Sequence, residues 1–206
     1  MAEADRAQIY LLTPPDLELS QFPGTLAAVL DAHDIACLRL SLATRDEDRL
    51  SRAADVLRDV AHARDVALVI DSHLGLVEPL GLDGVHLTDG ARSVRAARKA
   101  LGAEAIVGAF CGASRHDGMT AGEAGADYVA FGPVGTTALG DGTRALPELF
   151  AWWSELIEVP VVAEGAIDRE TALALAEVTD FFAVGEEIWS TDDPVAALAR
   201  LLDGIV

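Results

Sequence analysis

Short apolar runs alternate with helical patterns along almost the whole chain. Strand-like runs fall at residues 8–12, 37–42, 67–70, 84–87, 106–110, 128–131, 161–164 and 181–184. They read as continuous apolar stretches, the pattern of parallel strands buried on both faces. Between them, apolar residues recur three and four apart, as in Leu50, Ala53, Ala54, Leu57, Val60 and Ala61. The same spacing predicts helices over 25–33, 93–101, 116–124, 147–155, 170–176 and 194–202. The weakest helical pattern, 74–80, contains Pro79, which ends or distorts it. Asp46, Ser93, Asp168 and Asp192 stand where helix caps belong.

Eight strands, each followed by a helix, with a repeat of about 26 residues, fit a compact (β/α)8 TIM barrel. A doubly wound sheet, with its usual five or six strands, fits less well. No linker or composition break divides the chain, and the Gly-rich stretch 132–142 is too short to join domains. The expectation is a single domain over residues 1–206.

Charge narrows the partners. The chain carries 15 Lys+Arg against 34 Asp+Glu, a net charge of −19. Such a surface repels nucleic-acid backbones and anionic membranes. No apolar run reaches the roughly 18–20 residues that span a bilayer. Residues 1–6 are polar and partly acidic, unlike a signal peptide. Cys37 and Cys111 lie far apart in apolar strand-like segments, reading as two unpaired thiols of a cytoplasmic protein. The single lysine, Lys99, sits in a charged helical stretch, so neither a Schiff-base lysine nor a lysine phosphate clamp has an obvious place.

In such a barrel a small-molecule ligand binds at the C-terminal ends of the strands. The candidates there are Thr13, Arg39 and Ser41, then Asp71 and His73, then His86 and Asp89. Further round come Cys111, Ser114 and His116, then Gly132, Pro133, Thr136 and Thr137. Glu164 and Gly165 follow the seventh strand, and Gly185, Glu186 and Glu187 follow the eighth.

Several of these segments carry a resemblance. Ile9-Tyr10-Leu11-Leu12-Thr13, Gly84-Val85-His86-Leu87, Gly125-Ala126-Asp127-Tyr128-Val129, Phe131-Gly132-Pro133 and Pro160-Val161-Val162-Ala163 together resemble the thiamine phosphate synthases and their thiazole-tautomerase relatives. The likeness runs from about residue 8 to 205. It implies a transferase of thiamine biosynthesis that joins hydroxymethylpyrimidine diphosphate to a thiazole phosphate with Mg²⁺, releasing pyrophosphate. It also implies Arg39 on the pyrophosphate, His86 as the fourth-strand histidine, and a phosphate held after strands 7 and 8.

The remaining family positions are altered. Cys37-Leu38-Arg39-Leu40-Ser41 keeps one residue of a Gln-x-Arg-x-Lys pattern, and Asp71-Ser72-His73 stands for Asn-Asp-Arg. The second metal carboxylate falls near Ala91, leaving Asp71 and Asp89 as substitute Mg²⁺ ligands. Thr136 and Thr137 remain in the sixth loop, but its lysine is gone. Gly165-Ala166 and Glu186-Glu187 replace the Gly-Gly and Ser-Ala pairs of the phosphate cradle. A carboxylate 4 Å from a phosphate opposes it by up to about 4 kcal/mol at an effective dielectric near 20. A glutamate there also takes the anion's own place.

Three readings follow. One is the synthase, working with altered phosphate and Mg²⁺ positions and with Arg39 on pyrophosphate. Another is an acid/base isomerase of a small non-phosphorylated heterocycle, with His73 or His116 moving the proton and Glu164 and Glu186 binding positive charge. Gly112-Ala113-Ser114-Arg115-His116 matches the tautomerase Gly-x-Ser-x-His pattern literally but is displaced in spacing. The third is a non-catalytic ligand-binding barrel. Trp152 and Trp153 on one helix suggest a face for a homodimer.

Overall fold

The computed structural model describes residues 6–206, so most of the polar N-terminal stretch lies outside the described residues. Its strands are β1 (Gln8–Leu12), β2 (Ile35–Leu40), β3 (Ala67–Asp71), β4 (Gly84–Leu87), β5 (Ile106–Phe110), β6 (Tyr128–Phe131), β7 (Val161–Glu164) and β8 (Phe181–Val184). All pair in parallel in chain order, and β8 closes back on β1. The helices are α1 (Phe22–Ala32), α2 (Glu47–His62), α3 (Val77–Leu80), α4 (Val94–Leu101), α5 (Arg115–Glu123), α6 (Pro147–Leu156), α7 (Arg169–Leu175), α8 (Glu186–Trp189) and α9 (Pro194–Leu202). The expected (β/α)8 barrel is present.

Two apolar layers hold it. The larger lies between strands and helices, where Leu26, Leu38, Leu57, Ile70, Phe150 and Trp153 are fully buried. The smaller fills the barrel with Tyr10, Cys37, Val69, Phe110, Tyr128, Ala130, Val162 and Ala183. Each large apolar side chain so buried contributes about 1.5–3 kcal/mol. Above that inner layer the interior turns polar, with Arg39, His86 and Glu164 at 3, 1 and 4% exposure.

Several boundaries differ from the sequence reading for local reasons. β2 begins at Ile35, which pairs with Ile9, and stops before Ser41, whose N–H donates to Thr13 Oγ1 at 2.9 Å. α1 begins at Phe22 because Pro23 supplies the restricted φ of a first turn. Asp193, not Asp192, caps α9, accepting the Ala196 N–H at 3.0 Å directly before Pro194. Asp46 and Asp168 cap α2 and α7 as expected. Ser93 makes no side-chain cap; its hydroxyl donates to Asp89 Oδ2 at 2.6 Å.

The helical pattern at 74–80 resolves into a 3-10 turn, Leu74–Leu76, followed by the single turn of α3. The short α8 has no counterpart in the sequence reading. Trp152 and Trp153 do not make an exposed pair. Trp153 is 1% exposed, edge-on to Phe131, with its indole N–H on Val159 O at 2.7 Å. Trp152 is half-buried under the Arg115 guanidinium at 4.6 Å, which removes the basis for a tryptophan dimer face. Both cysteines are free and buried. Among the described residues no helix is long and apolar enough to cross a membrane.

Candidate active site

The strands end in a cavity of about 420 Å³ at the barrel mouth. Its lining includes Thr13, Arg39, Ser41, Asp71, His86, Thr137, Glu164, Gly165, Gly185, Glu186 and Glu187, eleven of the residues singled out from sequence. Alternation along the strands delivers them: Arg39 lies two residues above the inward Cys37, and Glu164 two above Val162. The loop between β6 and α6 folds over the opening, contributing Thr137, Leu139 and Gly140. Gly132 allows it to begin there, because a Cβ would stand 2.3 Å from the Glu164 carbonyl oxygen.

Among the described residues Arg39 is the one cationic side chain lining the cavity, against Asp71, Glu164, Glu186 and Glu187. Its guanidinium forms a two-pronged pair with Glu164, through Nη1 to Oε2 at 3.0 Å and through Nη2 to Oε1. Arg39 Nε also lies 3.3 Å from Asp71 Oδ1, within ion-pair range but without hydrogen-bond alignment. Burial opposes the charge on Arg39, yet Glu164 and Asp71 hold it firmly protonated. Asp71 accepts the Ser41 hydroxyl at 2.5 Å. Burial raises its carboxyl pKa against the lowering effects of Arg39 and Ser41. The cavity's one positive charge is therefore committed to carboxylates of the same chain.

The loops after β7 and β8 are occupied in a similar way. Glu187 bridges them, accepting the Gly185 N–H on Oε2 at 2.8 Å and the Ile167 N–H on Oε1 at 3.1 Å. The helical turn of α8 leaves Glu186 exposed and brings Glu187 to the amides. Of the glutamates after strand 8, the second holds the cradle. Arg144, the one cation of the sixth loop, donates to the Val134 carbonyl through Nη2 at 2.6 Å and Nε at 3.1 Å.

The other candidates lie elsewhere. His73 turns back on its own strand end, its Nδ1 2.7 Å from Asp71 O. His116 and Asp89 line a neighbouring cleft of about 850 Å³ with Cys111, Ser114 and Asp117. That cleft is larger, but the barrel mouth gathers the buried charged groups. Gly132, Pro133 and Thr136 support the loop without lining the mouth. Asp71 and Asp89 therefore open into different cavities, and no group of three or more potential metal ligands occurs among the described residues. With Asp71 already engaged by Ser41 and Arg39, this donor set does not fit a resident Mg²⁺.

Sequence reasoning missed Tyr10 and Tyr128, the chain's only tyrosines, beneath the cavity. Tyr128 Oη lies 2.6 Å from Tyr10 Oη and 2.9 Å from His86 Nδ1. Inward alternation in β1 and β6 was the available signal, but joining the three side chains required cross-strand register.

Fold and site together define a (β/α)8 barrel with a cavity that gathers charged side chains at the C-terminal ends of its strands. The sequence profile of a family described as thiamine monophosphate synthase matches residues 9–188. A thiamine-phosphate synthase of Rhodospirillum centenum is 45% identical over 197 residues, covering 93% of this chain and 94% of that protein. Another from Erythrobacter litoralis is 39% identical over 206 residues, covering 97 and 96%. The solved thiamine phosphate pyrophosphorylase of Pyrococcus furiosus superposes with a TM-score of 0.82 at 20% identity, covering 97 and 96%, a likeness of fold. The chain belongs to the thiamine monophosphate synthase family.

Proposed function

We propose that this protein catalyses the family reaction in a form restrained by its own carboxylates. The match to a thiamine-phosphate synthase at 45% identity over 93% of this chain carries this reading. The methylene–oxygen bond of hydroxymethylpyrimidine diphosphate breaks, its electron pair leaving with pyrophosphate. The thiazole nitrogen then forms the new carbon–nitrogen bond to give thiamine phosphate. Arg39 meets the leaving pyrophosphate, and the Gly185 and Ile167 amides meet the thiazole phosphate. Each group must first release its resting partner, Glu164 or Glu187. The restraint predicts slow turnover, because stabilising developing charge is usually the largest catalytic contribution. Mg²⁺ belongs to the family reaction, and no step here is assigned to it. Membership of a thiamine-synthesis family supports a cytoplasmic setting.

One observation favours a second reading. Four carboxylates and one paired arginine line the mouth, a balance suited to a cationic, non-phosphorylated heterocycle. An acid/base isomerase would then use Glu164 or Glu186 to hold the positive charge. Calorimetric titration separates the two: the synthase reading expects thiazole phosphate to bind more tightly than its dephosphorylated alcohol. Tighter binding of the alcohol supports the isomerase.

A further inference from the structure

His86 is 1% exposed and lies at the floor of the mouth cavity. Its Nδ1 faces Tyr128 Oη, while its buried Nε2 has no hydrogen-bond partner. The arrangement depends on the barrel register. His86, Gly108 and Tyr128 sit side by side on β4, β5 and β6. A Cβ at Gly108 would stand 2.0 Å from the Tyr128 ring. Its absence lets that ring cross β5 and lie nearly parallel to His86, at 20° and 5.7 Å between centroids. Tyr10 closes the chain from β1.

Burial, reinforced by Arg39, keeps His86 neutral, so its ring carries one proton. Burial likewise keeps both tyrosines protonated. Three protons must then serve two links, leaving one donor over. If His86 Nδ1 carries the ring proton, the surplus donor is a hydroxyl, that of Tyr10 or of Tyr128, 2 and 7% exposed deep in the barrel with only the weakly accepting Cys37 sulfur beside Tyr10. If Tyr10 donates to Tyr128 and Tyr128 to His86 Nδ1, the surplus donor is Nε2–H beside the cavity. An unpaired donor deep in the interior is the costlier arrangement.

We infer that Tyr128, oriented by Tyr10, is a positioning residue that fixes His86 as its Nε2–H tautomer and thereby presents a donor to an uncharged acceptor of the ligand, such as an sp² ring nitrogen. The tautomer is a property of the free protein; the ligand's place rests on the functional reading above. Tyr128 does not line the cavity and acts through His86.

Nitrogen-15 NMR of histidine-labelled protein tests the tautomer directly. The Nε2–H form is expected in the free wild type, with the Nδ1 resonance displaced in Tyr128→Phe. A wild-type Nδ1–H form, or an Nδ1 resonance indifferent to Tyr128→Phe, overturns the inference. Hydroxymethylpyrimidine is then titrated into both proteins. Loss of the fixed donor should weaken binding by about 3- to 10-fold, the usual value of one hydrogen bond. The same substitution in a His86→Gln background, where the amide supplies its own N–H, should change binding by less than about twofold. Equal weakening in both backgrounds overturns the positioning role. Failure of wild type to bind the pyrimidine would sink the functional reading, whereas the free-protein spectrum still decides the tautomer.

Discussion

Replacing Glu187 by alanine should open the anion site between the loops after β7 and β8. The carboxylate now accepts N–H groups from Gly185 and Ile167 at 2.8 and 3.1 Å, donors that a phosphate would need. A second anion about 4 Å away meets up to about 4 kcal/mol of repulsion at an effective dielectric near 20. Glu187 is half-buried, so solvent screening reduces that figure. Half of it, about 2 kcal/mol, corresponds to more than tenfold in affinity. Calorimetric titration of wild type and Glu187→Ala with thiazole phosphate should show at least that gain, and inorganic phosphate should follow in the same direction. Without ligand the variant should be destabilised by about 1 kcal/mol, the usual cost of losing a capping carboxylate. In this mid-sized domain that lowers Tm by about 2–4 °C, and added phosphate should restore the loss. Unchanged or weaker phosphate binding in Glu187→Ala refutes the view that Glu187 occupies the anion site.

Three further outcomes are expected. Arg39→Gln leaves Glu164 buried and unpaired and should cost about 3–5 kcal/mol in urea unfolding, while Arg39→Met with Glu164→Leu recovers most of it; a loss below about 1 kcal/mol in the single variant argues against a tight pair. The folded pKa of His86 lies well below the ordinary 6.5, so the unfolded chain binds the extra proton in acid. Its contribution is complete above about pH 6.5 and is lost as pH falls, by on the order of 1 kcal/mol per unit; His86→Gln should flatten that slope, and an unchanged slope contradicts the assignment. Burial pushes the Cys37 and Cys111 thiols up to about 12, so native protein at pH 8 should resist a thiol-specific disulfide reagent until denatured, and rapid labelling of either refutes their inertness.

The barrel was legible because parallel strands buried on both faces leave short apolar runs that little else produces. Local chemistry also placed the Asp46 and Asp168 caps. The misses arise where a tertiary partner decides. Ser41 leaves β2 because Thr13 offers a hydroxyl, and Trp153 turns inward because Phe131 and Val159 receive it. Candidate residues near strand ends were identifiable from topology alone, and eleven of them share the mouth. Their pairings were not: Arg39 meets Glu164 across 125 positions, and Tyr128 meets His86 only through the gap at Gly108. The sequence offered two glutamates after strand 8, but only the phase of α8 brings Glu187 rather than Glu186 to the Gly185 and Ile167 amides.

The most direct test mixes stoichiometric protein with Mg²⁺, hydroxymethylpyrimidine diphosphate and thiazole phosphate and follows pyrophosphate and thiamine phosphate together. A restrained synthase releases both slowly and in equal amounts, faster in Glu187→Ala and not at all in Arg39→Gln. No product from either wild type or Glu187→Ala contradicts the account, as does product formation that Arg39→Gln leaves unchanged.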